Sequence, residues 1–317
     1  MVIDNYQSVN KSFHKKQLVY RIGMSAGFFS EYNNMILAMA YCLRHHIQFK
    51  LSSLNANFDE KNGWKGLFEP FCEEVDSPTG IHIKTVNWRY ALKQIAFKHD
   101  LAGFHSLIPY ITFWKRRYLT QDVFGKCRDP KEMNKAYNIP ELNLTDKSLI
   151  EVCAELVRTT WHFNRDTQTV IQSIVEPLNL PEQYIGMHIR GGDKFVEHKL
   201  ESIDKYFSKI RPDNAALHNV FVLTDDYRII EQISTQYPDW NCYTLCRPEE
   251  RGYFHENFLK EDYDFKRKQL ITLFASIELL NGSKQFIGTF SSNPGMFLGM
   301  RNKEIATGVD FDDWTLW

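Results

Sequence analysis

Three short stretches in the second half of the chain join strand-like apolar runs to residues that can grip an anion. "YIGMHIRGGDKF" (184–195) begins with Tyr184, Ile185, Met187 and Ile189. It then delivers His188, Arg190, Gly191, Gly192, Asp193 and Lys194 to one spot. "NVFVLTDD" (219–226) ends in Asp225 and Asp226, and "KQFIGTFSSNPG" (284–295) ends in Thr289, Ser291 and Ser292 just before Pro294. Arg190 carries a planar fork of donors that suits phosphate oxygens, and the two glycines clear side chains where the chain turns and a ligand approaches. A plainer reading pairs Arg190 with Asp193 in a tight turn. Hydroxyls ahead of a proline suit the first turn of a helix, either as an anion site or as an ordinary serine cap. The Asp225–Asp226 pair fits hydrogen bonds to a base or ribose, or an N-cap for "YRIIEQI". As a metal signal it is weak, because Mg²⁺ needs further oxygen ligands.

Something must bring these endings together, and the surrounding pattern supplies it. The spacing predicts a strand over Lys16–Ile22, a turn over Gly23–Gly27, a helix through "SEYNNMILAMAYCLRHH" with Ser30 as its cap, and a strand "IQFKLSS". That is a βαβ opening and implies a parallel sheet. Residues 59–150 are less regular, with aromatic-rich helical stretches around 88–124 and a helix starting near Ser148. Beyond Gln168 the alternation restarts. "TVIQSIVEPL" is helical, Tyr184–Ile189 a strand, "IDKYFSKI" a helix, "NVFVLTDD" a strand and "YRIIEQISTQY" a helix. "WNCYTLC" (strand), a long helix "DFKRKQLITLFASIELLNGS", "KQFIGT" (strand) and a helix from "NPGMFLGM" follow. The pattern predicts two α/β domains, 1–175 and 176–317, joined inside a helical connection. Carboxyl ends of strands in such sheets are where ligands sit, so the three endings are expected to line one crevice.

Bulk properties narrow the function. The 317 residues carry a formal net charge of −1, which gives no basic excess to attract nucleic acid or an anionic membrane. Six scattered cysteines do not form a disulfide framework, and Cys242 and Cys246 in "NCYTLC" match neither a redox pair nor half of a zinc site. No apolar leader region opens the chain and no run of ~18 apolar residues appears, so a soluble cytoplasmic protein is expected, peripheral to a membrane at most. The 14% aromatic content suits sugar stacking and core packing alike.

Taken together, in order and spacing, "HIRGGDK", "LTDD" and "GTFSSN" resemble the fucosyltransferase superfamily. That group spans α1,6-, nodulation, α1,2- and protein O-fucosyltransferases. The likeness is greatest to the α1,6 type, whose motif reads His-x-Arg-Arg-x-Asp-Lys. It continues through "ESIDKYFSKI", "FVLTDDYRIIEQISTQYP", "GYFHENF" and "GTFSSNPGMFLGM", and reappears in "MSAGFFSEYNNMILAMAYCL". The resemblance implies a GT-B enzyme with two Rossmann-like doubly wound domains facing a cleft, the first on the acceptor side and the second binding the nucleotide sugar. It implies an inverting, metal-independent transfer of L-fucose from GDP-fucose, with no separate cofactor, to a glycan or lipid-linked glycan. By the same likeness Arg190 holds the β-phosphate and His188, Asp225 and Asp226 bind guanosine. Thr289, Ser291 and Ser292, with the backbone N–H groups of the two serines, cradle the diphosphate. Lys194 lies near the sugar, and Gly23 and Gly27 let the first-domain loop approach the donor. Two departures stand out. Gly191 replaces the second arginine, and the acidic residue after the lysine is displaced, leaving Glu197 as the nearest candidate for general base and His198 as the other local choice. Another nucleotide-sugar donor, or a non-catalytic binding protein on the same scaffold, are the competing readings.

Overall fold

The computed structural model describes residues 3–77, 82, 117–191, 201–252 and 261–314. The chain falls into two compact units, one running to His162 and the other starting at Phe163. The helix Arg165–Val175, inside which the sequence sets the domain boundary, lies wholly in the second unit.

In the first unit, β1 (Gln17–Arg21) pairs in parallel with β2 (Gln48–Ser52) on one side and β3 (Arg117–Leu119) on the other. The β1–β2 crossover is the helix Phe28–Arg44, whose residues from Met35 to Leu43 are all buried. That helix begins two residues before Ser30, with Gly27 as N-cap. Ser30 does not cap it, because it already lies in the first turn, where its own N–H donates to Gly27 O at 2.9 Å. Aromatic rings fill the space beside this helix: Phe28 stacks on Phe68 at 5.8 Å and Trp64 on Phe68 at 4.3 Å. Trp64 is fully buried and Trp161 nearly so, so these rings are core and not a sugar platform. An antiparallel hairpin of β4 (Tyr137–Ile139) and β5 (Leu144–Lys147) precedes the helix Leu149–Thr160, which starts where expected, with Ser148 as its cap in a capping box with Glu151.

The second unit is built on five parallel strands: β6 (Ile185–His188), β7 (Asn219–Leu223), β8 (Asn241–Tyr243), β9 (Gln285–Gly288) and β10 (Ala306–Gly308). Their spatial order is β10-β9-β6-β7-β8. Read in chain order this is the doubly wound sequence of neighbours 3-2-1-4-5, with the topological switch between β6 and β9. Ile185, Met187, Val220, Val222 and Ile287 are fully buried on one face, packed with Ile230 and Ile233 from the helix Tyr227–Gln236. On the other face Gly186 lies against Leu280 and Ser283 at the end of the helix Tyr263–Gly282. Burial on both faces explains why these strands read as continuous apolar runs. All six cysteines are free thiols. No described helix is long and apolar enough to cross a membrane.

Candidate active site

Register decides whether the three polar endings meet. His188 sits opposite Leu223 of β7 and Gly288 of β9, so all three strands end at one level. The segments beginning at Ile189, Thr224 and Thr289 therefore leave a common edge, two of them flanking the switch point. In a doubly wound sheet that crevice is the ligand position.

At the end of β6, His188 is buried, with Nδ1 3.4 Å from Ser292 Oγ. Half-buried Arg190 follows, its Nε 3.9 Å from Asp225 Oδ2, an ion-pair distance too long for a hydrogen bond. Gly191 donates its N–H to Asp225 Oδ1 at 2.7 Å. A Cβ at position 191 would lie only 2.8 Å from Asp226 Cβ. The glycine that departs from the α1,6 motif is thus required by a close approach within this unit. Lys194 and Glu197, with Asp193 and His198, lie outside the described residues.

The two aspartates separate in role. Asp226 caps the helix Tyr227–Gln236 by accepting the Arg228 N–H at 3.0 Å, and both its oxygens also engage the Arg228 guanidinium. Those hydrogen bonds hold its carboxyl below the usual range, despite burial. Its acceptor capacity is largely consumed within the protein. Asp225 ties the end of β7 to Gly191 and, through its carbonyl, to Gly252 N–H at 2.7 Å, so it braces the loop after β6.

The loop after β9 differs from expectation in one respect. Ser292 is the N-cap of the helix Asn293–Arg301, accepting Gly295 N–H at 3.2 Å and donating to Thr289 O at 2.7 Å. The backbone N–H groups assigned to a diphosphate are engaged within the protein. That of Ser292 donates to Thr289 O at 3.2 Å, and that of Ser291 to Asp310 Oδ2 at 3.0 Å. Asp310 has no apolar strand or motif around it to single it out in the sequence; only its place just after the three-residue strand β10 brings it here.

In the first unit the glycine turn after β1 closes around a carboxylate. Glu31, buried, accepts the N–H groups of Gly23, Met24, Ser25 and Ala26. Gly23 has φ +78°, and a Cβ there would lie 2.3 Å from Ala56 Cβ, so this glycine is demanded by conformation and packing. Gly27 is exposed and a Cβ there would meet nothing within 4 Å, so no internal contact requires a glycine. Beside β1, Arg21 is buried with its Nη1 3.3 Å from Ser52 Oγ. His82 bridges Thr120 and Ser77 at 3.1 and 2.8 Å, and burial, then Arg21 and Arg117, push its pKa down to about 4. It is a neutral structural imidazole. Among the described residues no group of three or more His, Cys, Asp or Glu side chains is placed to hold a metal ion.

A doubly wound sheet whose switch point gathers an arginine, a buried histidine and a serine-capped helix start, preceded by a second parallel α/β unit, has the architecture of a GT-B glycosyltransferase. A family model described as alpha-(1,6)-fucosyltransferase N- and catalytic domains matches residues 3–294, and the chain belongs to that family. Similar solved structures include NodZ α-1,6-fucosyltransferase soaked with GDP-fucose, 13% identical, covering 92% of this chain and 93% of that one at a TM-score of 0.52. The selenomethionine form of fucosyltransferase NodZ from Bradyrhizobium is also 13% identical, with coverages of 92% and 93% and a TM-score of 0.51. No curated protein matches the chain by sequence.

Proposed function

We propose that the chain transfers L-fucose from GDP-fucose to a glycan hydroxyl, with inversion and without a metal ion. The observation supporting this reading is the common level of the β6 and β9 ends at the switch point, where His188 Nδ1 lies 3.4 Å from Ser292 Oγ and Arg190 follows two residues after His188. Breaking the sugar–phosphate bond leaves charge on the β-phosphate, and a guanidinium beside it stabilises that charge as it develops. In this reading the acceptor oxygen attacks the anomeric carbon, GDP departs, and the hydroxyl proton passes to a base. Sequence likeness nominates Glu197 for the base and Lys194 for the sugar. His188 and Asp225 face guanosine, with Asp226 supporting them through its cap. Sequence likeness also assigns Gly23 and Gly27 to the loop that approaches the donor. The second unit binds the nucleotide and the first meets the acceptor, a free or lipid-linked glycan. Six free thiols suit a reducing cytoplasm.

The test is donor hydrolysis and transfer across GDP-fucose, GDP-mannose and UDP-sugars, with and without EDTA. The reading expects GDP-fucose to be preferred and turnover to survive chelation. Preference for another donor, or loss in EDTA restored by Mg²⁺ or Mn²⁺, would overturn the corresponding part. Binding without turnover would leave a carbohydrate- or nucleotide-binding protein.

A further inference from the structure

The loop that carries Thr289, Ser291 and Ser292 is pinned from outside its own helix. β10 runs parallel to β9 with Gly308 opposite Gly288, and Val309 N–H donates to Gly288 O at 2.9 Å. The next residue, Asp310, therefore reaches over the end of β9. Its Oδ1 accepts the N–H of Phe290 at 2.7 Å and of Phe311 at 2.9 Å, and its Oδ2 accepts the N–H of Ser291 at 3.0 Å. Phe290 and Ser291 are both buried, so these main-chain groups have little recourse to water. The buried Tyr206 phenol lies near enough for the Asp310 charge to add to burial in keeping it protonated.

We propose that Asp310 is the positioning residue of this loop, fixing the Phe290–Ser291 peptide so that Ser291 and the helix start behind it keep one arrangement toward a nucleoside diphosphate. N–H groups just before a helix start attract phosphate when left open. Charge-assisted bonds from those groups to a carboxylate are short and strong, so Asp310 satisfies them internally and leaves the loop with one shape. Removing the carboxylate frees three donors, two of them in the loop, and lets the loop adopt several arrangements, which the ligand must then order. The inference rests on the donor reading given above.

GDP alone, titrated calorimetrically into the full chain, tests it. Asp310→Ala should weaken GDP binding by roughly 10- to 100-fold, the scale of losing charge-assisted hydrogen bonds. Asp310→Asn keeps one acceptor oxygen for Phe290 and should weaken it less. Asp313→Asn is the control. Asp313 holds Lys303 at 2.7 Å and Trp314 N–H at 3.0 Å in the same terminal segment, with no bond to the loop. It should lower the melting temperature without moving GDP affinity. Unchanged or tighter binding in Asp310→Ala, or an equal loss in Asp313→Asn, would overturn the proposal. Should Asp310→Ala not fold, the Asn variant alone decides it: weaker GDP binding supports, unchanged binding refutes. Arg190→Met separates the two levels. If it weakens GDP binding while the Asp310 variants do not, only the loop proposal fails. If it has no effect, the donor reading fails and the proposal with it.

Discussion

Substituting Gly191 by alanine should destabilise the second unit, and the structure sets the scale. The new methyl would lie 2.8 Å from Asp226 Cβ, 3.4 Å from Asp226 Oδ2 and 3.5 Å from Asp225 Oδ1. Asp226 Cβ is fixed to the main chain at the start of the helix Tyr227–Gln236, so it yields only if the helix start moves. Moving it weakens the cap on Arg228 N–H, worth ~1 kcal/mol, and adds the overpacking cost, ~1–3 kcal/mol. Together these come to about 2–4 kcal/mol, or a fall of roughly 5–12 °C in Tm for a unit of this size. Scanning calorimetry reads the fall, and GDP titration reads the site. Gly191→Arg, which would install the second arginine of the α1,6 motif, carries the same Cβ and should lose stability without gaining turnover. A Gly191→Ala protein that melts within about 1 °C of the parent and binds GDP equally well would refute the claim that this approach dictates glycine.

Arg190→Lys keeps the charge and loses the fork, and should lower turnover on the order of 10²-fold, as initial-rate assays would show; near-normal rates would return Arg190 to a turn-bracing role. Glu31→Gln puts an amide where four N–H groups converge, and should cost about 2–4 kcal/mol in thermal unfolding, with faster hydrogen exchange at residues 23–26. Asp226 has a folded-state pKa depressed chiefly by the Arg228 hydrogen bond, so its contribution to stability is present above the ordinary carboxylate range and is lost as pH falls through the depressed value. Melting followed below about pH 4 should therefore drop more steeply in the parent than in Asp226→Asn.

The second sheet was legible because its strands are buried on both faces and separated by amphipathic helices, so apolar runs and helical spacing alternate cleanly. The site edge was legible for the same reason: a run such as "YIGMHI" can only end where its polar residues reach the surface. Shorter elements escaped. β3 and β10 are three residues each and the "YNI" strand of the hairpin is no longer, too little for a period to show. The Ser30 cap failed because the helix starts two residues earlier, with Gly27 at its N-cap and no side-chain cap for the sequence to display. Likewise Asp226 could be read as a ligand or as a cap from "LTDDYRII", and the side-chain geometry of Arg228 favours the cap. Asp310 lay beyond reach, since its partners are main-chain groups about twenty residues upstream.

The free thiols give the molecule built-in reporters of its own opening. Cys42, Cys127 and Cys153 are buried in the first unit, while Cys242 and Cys246 are half-buried in the second. Burial raises every one of these thiols, Cys127 to about 12 and Cys242 to about 11, so thiolate is scarce while the fold is closed. Alkylation timed by mass spectrometry would then count openings peptide by peptide. The two halves of the chain would each keep their own clock, with no label added and no residue changed.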